Sequence, residues 1–329
     1  MDWLTLLVGV AVALAASAVL VAALERVGAR FGLSEASLGL LVALAADSPE
    51  VSAAVAAYVR HEPGIGVGVV LGSNAFNLAA LLGLGAVVAG RIALHRKVVL
   101  LEGVVAALVA LLTVGTIAAP EHAVAFLLLT VAVLVPYVWL SALPPERRPR
   151  VPLPKSWRRW LASAVAEEEV ELRTAITPRR GTWKDAAVVF AAVPAVVAAS
   201  TFMEGAASDL GARHAIPAIV IGGVLLAAIT SLPNAVAAVY LARRDRGAAT
   251  FSVALNSNAV NVVVGLMIPA VLVVGATFAK DGGGITAAYL GLTLVTLFFA
   301  WRGRGLGRWS GALIIALYAA FVAVLVATG

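Results

Sequence analysis

Ala45-Ala46-Asp47-Ser48-Pro49-Glu50, followed by Gly72-Ser73-Asn74-Ala75-Phe76-Asn77, decides the reading of this chain, because the chain carries the pattern twice. The second copy runs Ile229-Thr230-Ser231-Leu232-Pro233-Asn234 and then Asn256-Ser257-Asn258-Ala259-Val260-Asn261. A shift of 184 residues superimposes Pro49 on Pro233, Glu50 on Asn234, Ser73 on Ser257, Asn74 on Asn258 and Asn77 on Asn261 without a gap. Polar and helix-breaking residues that recur at matched spacing inside apolar sequence mark an internal repeat.

The residues around both copies identify the solvent. The 329-residue chain is 62% hydrophobic and only 13% charged, with a mean hydropathy of +1.00. That is not the composition of a soluble domain. Several apolar runs reach the roughly 20 helical residues that cross a bilayer core. The expected fold class is therefore an all-α polytopic membrane protein, with the lipid bilayer as its surroundings. The first run, Trp3 to Leu24, lacks a basic leader and a small-residue cleavage site, so it reads as a permanent span rather than a signal peptide. The absence of cysteine excludes a disulfide framework, a thiol nucleophile and a cysteine metal site. A net charge of +6 would suggest nucleic acid only if the basic residues formed a patch. They follow the loops instead, and no nucleic-acid partner is expected.

Working outward, spans are expected near 3–24, 36–59, 65–89, 98–118 and 122–143, and near 185–207, 215–242, 248–275, 284–301 and 309–328. These are ten transmembrane helices in two sets of five. Five is odd, so the second set enters from the opposite side and the two five-helix repeats are inverted. The expected division is a first repeat over 1–143, a cytoplasmic linker over 144–184 and a second repeat over 185–329. With the N-terminus outside, only Arg60, Arg213 and Lys280 of the 24 basic residues fall outside, as the positive-inside rule requires. Both termini are then outside, in a multi-pass protein of a prokaryotic plasma membrane. The linker, with Trp157 and Trp160 among basic residues and an acidic run from Glu167 to Glu171, reads as a solvated tether in preference to a regulatory surface helix. Nothing in the sequence addresses oligomeric state.

The repeated stretch has its own chemistry. Proline cannot donate to the carbonyl four residues back, so Pro49 and Pro233 loosen the carbonyls of Ala45 and Ile229. Broken helices are tolerated at membrane depth where backbone lines an enclosed cavity. Asp47 and Glu50, like Ser231 and Asn234, are three apart and share a helical face. Ser73 with Asn77, and Ser257 with Asn261, are four apart and do the same. Carboxylate, amide, hydroxyl and loosened carbonyl oxygens are the ligands a hard cation takes in place of water. The competing reading is packing, since Asn and Ser bind membrane helices together. Close helix approach is the preferred reading for Gly64, Gly66, Gly68 and Gly72, which follow no strand and make no nucleotide fingerprint. Glu50 and Asp47 resist the packing reading. A carboxylate at membrane depth costs about 2.5–3.5 kcal/mol on insertion scales and calls for a cation, a proton or a lumen. Of the remaining acids, Glu25, Asp185 and Asp209 lie near span ends and are expected in solvent. Glu102 should pair with the basic cluster before span four, and Glu204 could line an outer vestibule. No histidine has a partner at metal-ligand spacing.

A proline followed by an acid at a helix break, then Gly-Ser-Asn-x-Phe-Asn, resembles the α-repeat of the sodium/calcium exchanger (cation/Ca2+ antiporter) superfamily. Thr230-Ser231-Leu232-Pro233 fits the second repeat. The resemblance covers essentially all the spans and implies a ten-helix antiporter with its site on spans two, three, seven and eight. By position it implies Glu50 as the first-repeat acidic ligand, Asn77 and Asn261 as the ligands closing each motif, and Ser231 and Thr230 as lining residues. The chain departs from the pattern at Ala46-Asp47, where the family has Thr-Ser, and at Asn234, where it has an acid. Both site carboxylates thus fall in one half and could neutralise one divalent ion.

Three readings follow. The first is a secondary active antiporter moving Ca2+ or another small cation against Na+ or H+, with these inorganic cations as its ligands and no cofactor. The second is a uniport or channel-like pathway through the same site. The third, a membrane-embedded enzyme, finds no catalytic constellation to support it.

Overall fold

The computed structural model describes residues 2–31, 44–142, 154–157, 159–161, 163–164, 181–232, 234–235, 243, 247–274 and 282–328. Helix α1 is Asp2–Phe31 and α2 is Ser48–Val59. Helix α3 begins as Pro63–Asn77, widens into a π-helical segment at Leu78–Leu84 and ends as Gly85–Ala89. Helices α4 (Arg96–Ala118) and α5 (Ala123–Ala142) follow. In the second half α6 is Trp183–Arg213, and α7 is described over Ala218–Thr230, with a π-helical segment at Ile221–Leu226. Helix α8 is Gly247–Val260, continued by π-helical segments at Asn261–Met267 and Ala270–Val274. Helices α9 (Gly282–Gly303) and α10 (Arg308–Thr328) close the described chain.

Eight of these helices are long and apolar enough to cross a membrane, all but α2 and α7. The molecule is thus a polytopic helical membrane protein. The spans expected at 36–59 and 215–242 run into residues 36–43, Pro233 and 236–242, which lie outside the described residues, as does most of the 144–184 linker.

Among the described residues the fold is all-α apart from one short feature. Arg91–Ala93 (β1) and Gly305–Gly307 (β2) form an antiparallel two-stranded ribbon, with Arg91 opposite Gly307 and Ala93 opposite Gly305. The α3–α4 and α9–α10 connections lie side by side there, and extended backbone with unpaired amides pairs with its neighbour. The Arg91 guanidinium adds a bond to the Gly303 carbonyl at 3.0 Å, and Gly305 supplies the left-handed φ of 124° that the turn into β2 needs.

Helix α3 is the centre of the molecule. Its apolar window is 94% buried, against 17% for those of α5 and α10. Glycine sets its distance from α7. A Cβ on Gly68 would stand 2.7 Å from the Gly223 nitrogen, and one on Gly72 would strike the Gly223 carbonyl. In return, a Cβ on Gly222 would strike the carbonyl of Ile65. The two helices therefore cross backbone to backbone, the role membrane glycines play where helices approach closely. On another side of the core, α1 and α6 pack along each other, with Gly9 against Met203 at one level and Leu20 clustered with Ala45, Ala192 and Val196 at another.

Candidate cation site

The first repeat's break falls at Asp47, with φ −82° and ψ −2°. The second falls at Ser231, 184 positions later, with φ −85° and ψ −2°. Both halves thus turn at the equivalent residue with the same backbone geometry. Proline at the start of α2 does free the Ala45 carbonyl, but that oxygen is not left for an ion. The Ser48 hydroxyl donates to it at 2.6 Å and the Ser17 hydroxyl of α1 at 2.9 Å. Buried carbonyls in an apolar interior take whatever donor lies near, so the Ala45 carbonyl, expected as a cation ligand, is occupied by two hydroxyls. Pro233, the matching expectation, lies outside the described residues.

The nine side chains singled out in the sequence are all buried: Asp47, Glu50, Ser73, Asn77, Thr230, Ser231, Asn234, Ser257 and Asn261. Most are joined across the two halves. Asp47 Oδ1 accepts from Asn234 Nδ2 at 2.9 Å and from the Ser257 hydroxyl at 2.8 Å. Glu50 Oε1 accepts from the Ser231 hydroxyl at 3.0 Å. Under the 184-residue shift, Asp47–Asn234 and Ser231–Glu50 are the same contact made in the two directions. Thr230 donates to the Leu226 carbonyl of its own helix at 3.0 Å.

Asparagines form the middle of the site. Asn77 Nδ2 donates to the Ser257 hydroxyl and to Asn258 Oδ1, each at 3.1 Å. Asn261 Nδ2 donates to Asn74 Oδ1 at 3.3 Å. Asn74 and Asn258 exchange bonds directly, each side-chain amide donating to the other's backbone carbonyl, at 3.0 and 3.1 Å. The π-helical segments Leu78–Leu84 and Asn261–Met267 begin beside these motifs, in keeping with the habit of π-turns to fall at functional sites. Asn74 and Asn258 are the residues missed as site members. Their signal was in the sequence, because both sit mid-motif and superimpose in the repeat.

The donor supply runs short at five oxygens. Asp47 Oδ2, Glu50 Oε2, Ser73 Oγ, Asn77 Oδ1 and Asn261 Oδ1 are buried with no protein hydrogen-bond partner. Native proteins leave few such atoms, and each asks for a ligand. Among the described residues no basic side chain pairs with Asp47 or Glu50. Two buried carboxylates without a counter-charge and three neutral oxygens make a donor set suited to a hard cation or to protons.

Other acids have separate settings. Asp185 is not merely solvated: it accepts from Arg26 at 2.6 Å and caps the start of α6 through Thr182. Glu102 is buried and accepts from the Ser252 hydroxyl of α8. Glu204 is fully buried rather than lining an open vestibule, with the Arg60 guanidinium 3.6 Å away. Asp209 is exposed, as expected.

The sequence profile of the sodium/calcium exchanger protein family matches residues 1–162 and 184–327. The chain belongs to that family. Its fold is similar to that of the sodium-calcium exchanger NCX_Mj, with a TM-score of 0.60 at 20% identity over 98% of this chain and 97% of that one. It is similar also to the H+/Ca2+ exchanger CAX, with a TM-score of 0.70 at 14% identity over 99% of this chain and 86% of that one. A stretch of 88 residues is 35% identical to CaxA of Alkalimonas amylolytica, provisionally named an antiporter. That stretch is 26% of this chain and 27% of the relative's length. The family and these structural neighbours are exchangers, not enzymes.

Proposed function

We propose that this exchanger-family chain is a secondary active antiporter that moves Ca2+ or another small hard cation against Na+ or H+ by alternating access. The observation that carries the proposal is the set of five buried oxygens lacking donors, on side chains contributed by the turn at Asp47 and by α2, α3 and α8. Glu50 and Asp47 supply the charge, and Asn77, Asn261 and Ser73 supply neutral oxygens. Ser231, Ser257 and Asn234 hold the carboxylates, and Thr230 stands at the second break. The names of NCX_Mj and CAX agree with this cargo and with either counter-ion.

The same reading includes ten transmembrane helices as two inverted repeats, 1–143 and 185–329, joined by a cytoplasmic linker over 144–184, with both termini outside in a prokaryotic plasma membrane. The matched turns at Asp47 and Ser231 and the reciprocal contacts at a 184-residue offset support two equivalent halves.

Reconstitution in liposomes tests the function. Saturable 45Ca2+ uptake is expected when an outward Na+ or H+ gradient is imposed, and none with a membrane potential alone. Uptake driven by potential without a counter-ion would replace antiport with the uniport reading.

A further inference from the structure

Asn74 and Asn258 offer the cation no free oxygen, yet the polarity of the site is set by them. A backbone carbonyl can only accept a hydrogen bond. Each of these side chains therefore turns Nδ2 toward the other's carbonyl, at 3.0 and 3.1 Å. That leaves Asn74 Oδ1 facing Asn261 and Asn258 Oδ1 facing Asn77. These oxygens too can only accept, so Asn261 and Asn77 must point Nδ2 at them. Their own Oδ1 atoms then take the other end of the amide plane, where both are buried without a donor.

We infer that Asn74 and Asn258 are positioning residues that lock the amides of Asn261 and Asn77 so that oxygen, and not NH2, is presented to the cation. The inference rests on the proposed role of Asn77 and Asn261 as ligands. A reversed amide would aim hydrogens at a positive ion, so the lock acts on affinity and selectivity rather than on the fold.

The two locks are unequal. Asn77 gives a second hydrogen bond to the Ser257 hydroxyl, which obliges Ser257 to donate its own proton to Asp47 Oδ1 at 2.8 Å. Asn258 thereby orients a run of three groups that ends on a carboxylate. On the other side position 231 is serine where position 47 is aspartate, and Ser73 Oγ has no partner. Loss of Asn258 should accordingly weaken cation binding more than loss of Asn74.

Calorimetric titration of the purified full chain with Ca2+ tests this as a double-mutant cycle. Asn258→Ala is expected to raise Kd about tenfold, the worth of one buried hydrogen bond. In an Asn77→Ala background the same change should have less than about a twofold effect, because the amide it orients is gone. Equal weakening by Asn258→Ala in both backgrounds, or no weakening in the wild-type background, overturns the lock. The cycle of Asn74→Ala with Asn261→Ala reads the other half independently and decides the matter if Asn258→Ala does not fold. Wild-type affinity in Asn77→Ala would overturn the ligand assignment as well. That outcome is distinct from failure of the lock alone, in which Asn77→Ala weakens binding and Asn258→Ala does not.

Discussion

Replacing Glu50 by glutamine should separate the site's charge from its shape. Glutamine keeps the length of glutamate and an oxygen for the Ser231 hydroxyl, which donates at 3.0 Å in the native protein. What disappears is one of two uncompensated buried charges. Two unit charges about 4 Å apart interact by about 4 kcal/mol at an effective dielectric constant near 20. A divalent ion doubles the gross term, and its lost hydration offsets part of the gain. Taking the single-charge figure as the net loss, Ca2+ affinity falls roughly a thousandfold. Without the ion the sign reverses. Glu50 Oε2 has no donor, and removing a poorly supported buried charge stabilises the fold. Thermal unfolding of the purified protein reads both effects. Wild type should gain about 2.7 kcal/mol at a Ca2+ concentration 100 times its Kd. Glu50→Gln should start from a higher Tm and show no Ca2+ shift. A Ca2+-induced shift equal to that of wild type would refute the reasoning.

Gly72→Leu drives a side chain into the Gly223 carbonyl and should cost about 3 kcal/mol or abolish monodisperse protein on size exclusion, while Gly284→Ala, which meets open space, should be neutral. Arg60→Met strands the buried Glu204 carboxylate and should lower Tm by several degrees, and Arg60→Met with Glu204→Leu should restore it. Protons and the cation compete for the Asp47–Glu50 oxygens, so apparent Ca2+ affinity should fall as pH drops, and Asp47→Ser should flatten that slope. A pH-independent wild-type affinity would remove the proton from the scheme. Single cysteines at Ser156 and Thr328 should label differently with an impermeant thiol reagent on intact cells, only Thr328→Cys reacting.

The candidate site was legible as a pattern because some of its residues sit at two turns that break helical periodicity in the same way, and the others recur at matched positions on the helices that follow. Asp47, Glu50, Ser73 and Asn77, with their counterparts, stand out as polar positions at three- and four-residue spacing in apolar runs, and all are buried. What could not be read was the identity of each partner. The Ala45 carbonyl is satisfied by Ser17, 28 residues earlier on a different helix, and Asp185 is held by Arg26 from 159 residues away. Periodicity tells which face a residue occupies, not which helix that face meets. The orienting role of Asn74 and Asn258 needed the backbone carbonyls opposite them. The β1–β2 ribbon was hidden for a related reason, since neither three-residue segment has an alternating pattern long enough to register.

Under the proposed function, the number of carboxylates at the site also sets how the protein meets the membrane voltage. An empty site with Asp47 and Glu50 ionised carries two negative charges, and no basic side chain among the described residues pairs with either. One divalent ion cancels them, and so do two monovalent ions or two protons. A carrier loaded in any of these ways crosses as an electrically neutral unit. The field, worth about 2.3 kcal/mol per charge per 100 mV, then acts only on the empty form. On that proposal, exchange of one divalent for two monovalent ions would draw no current, and asparagine at 234 keeps the proposed site at two acids.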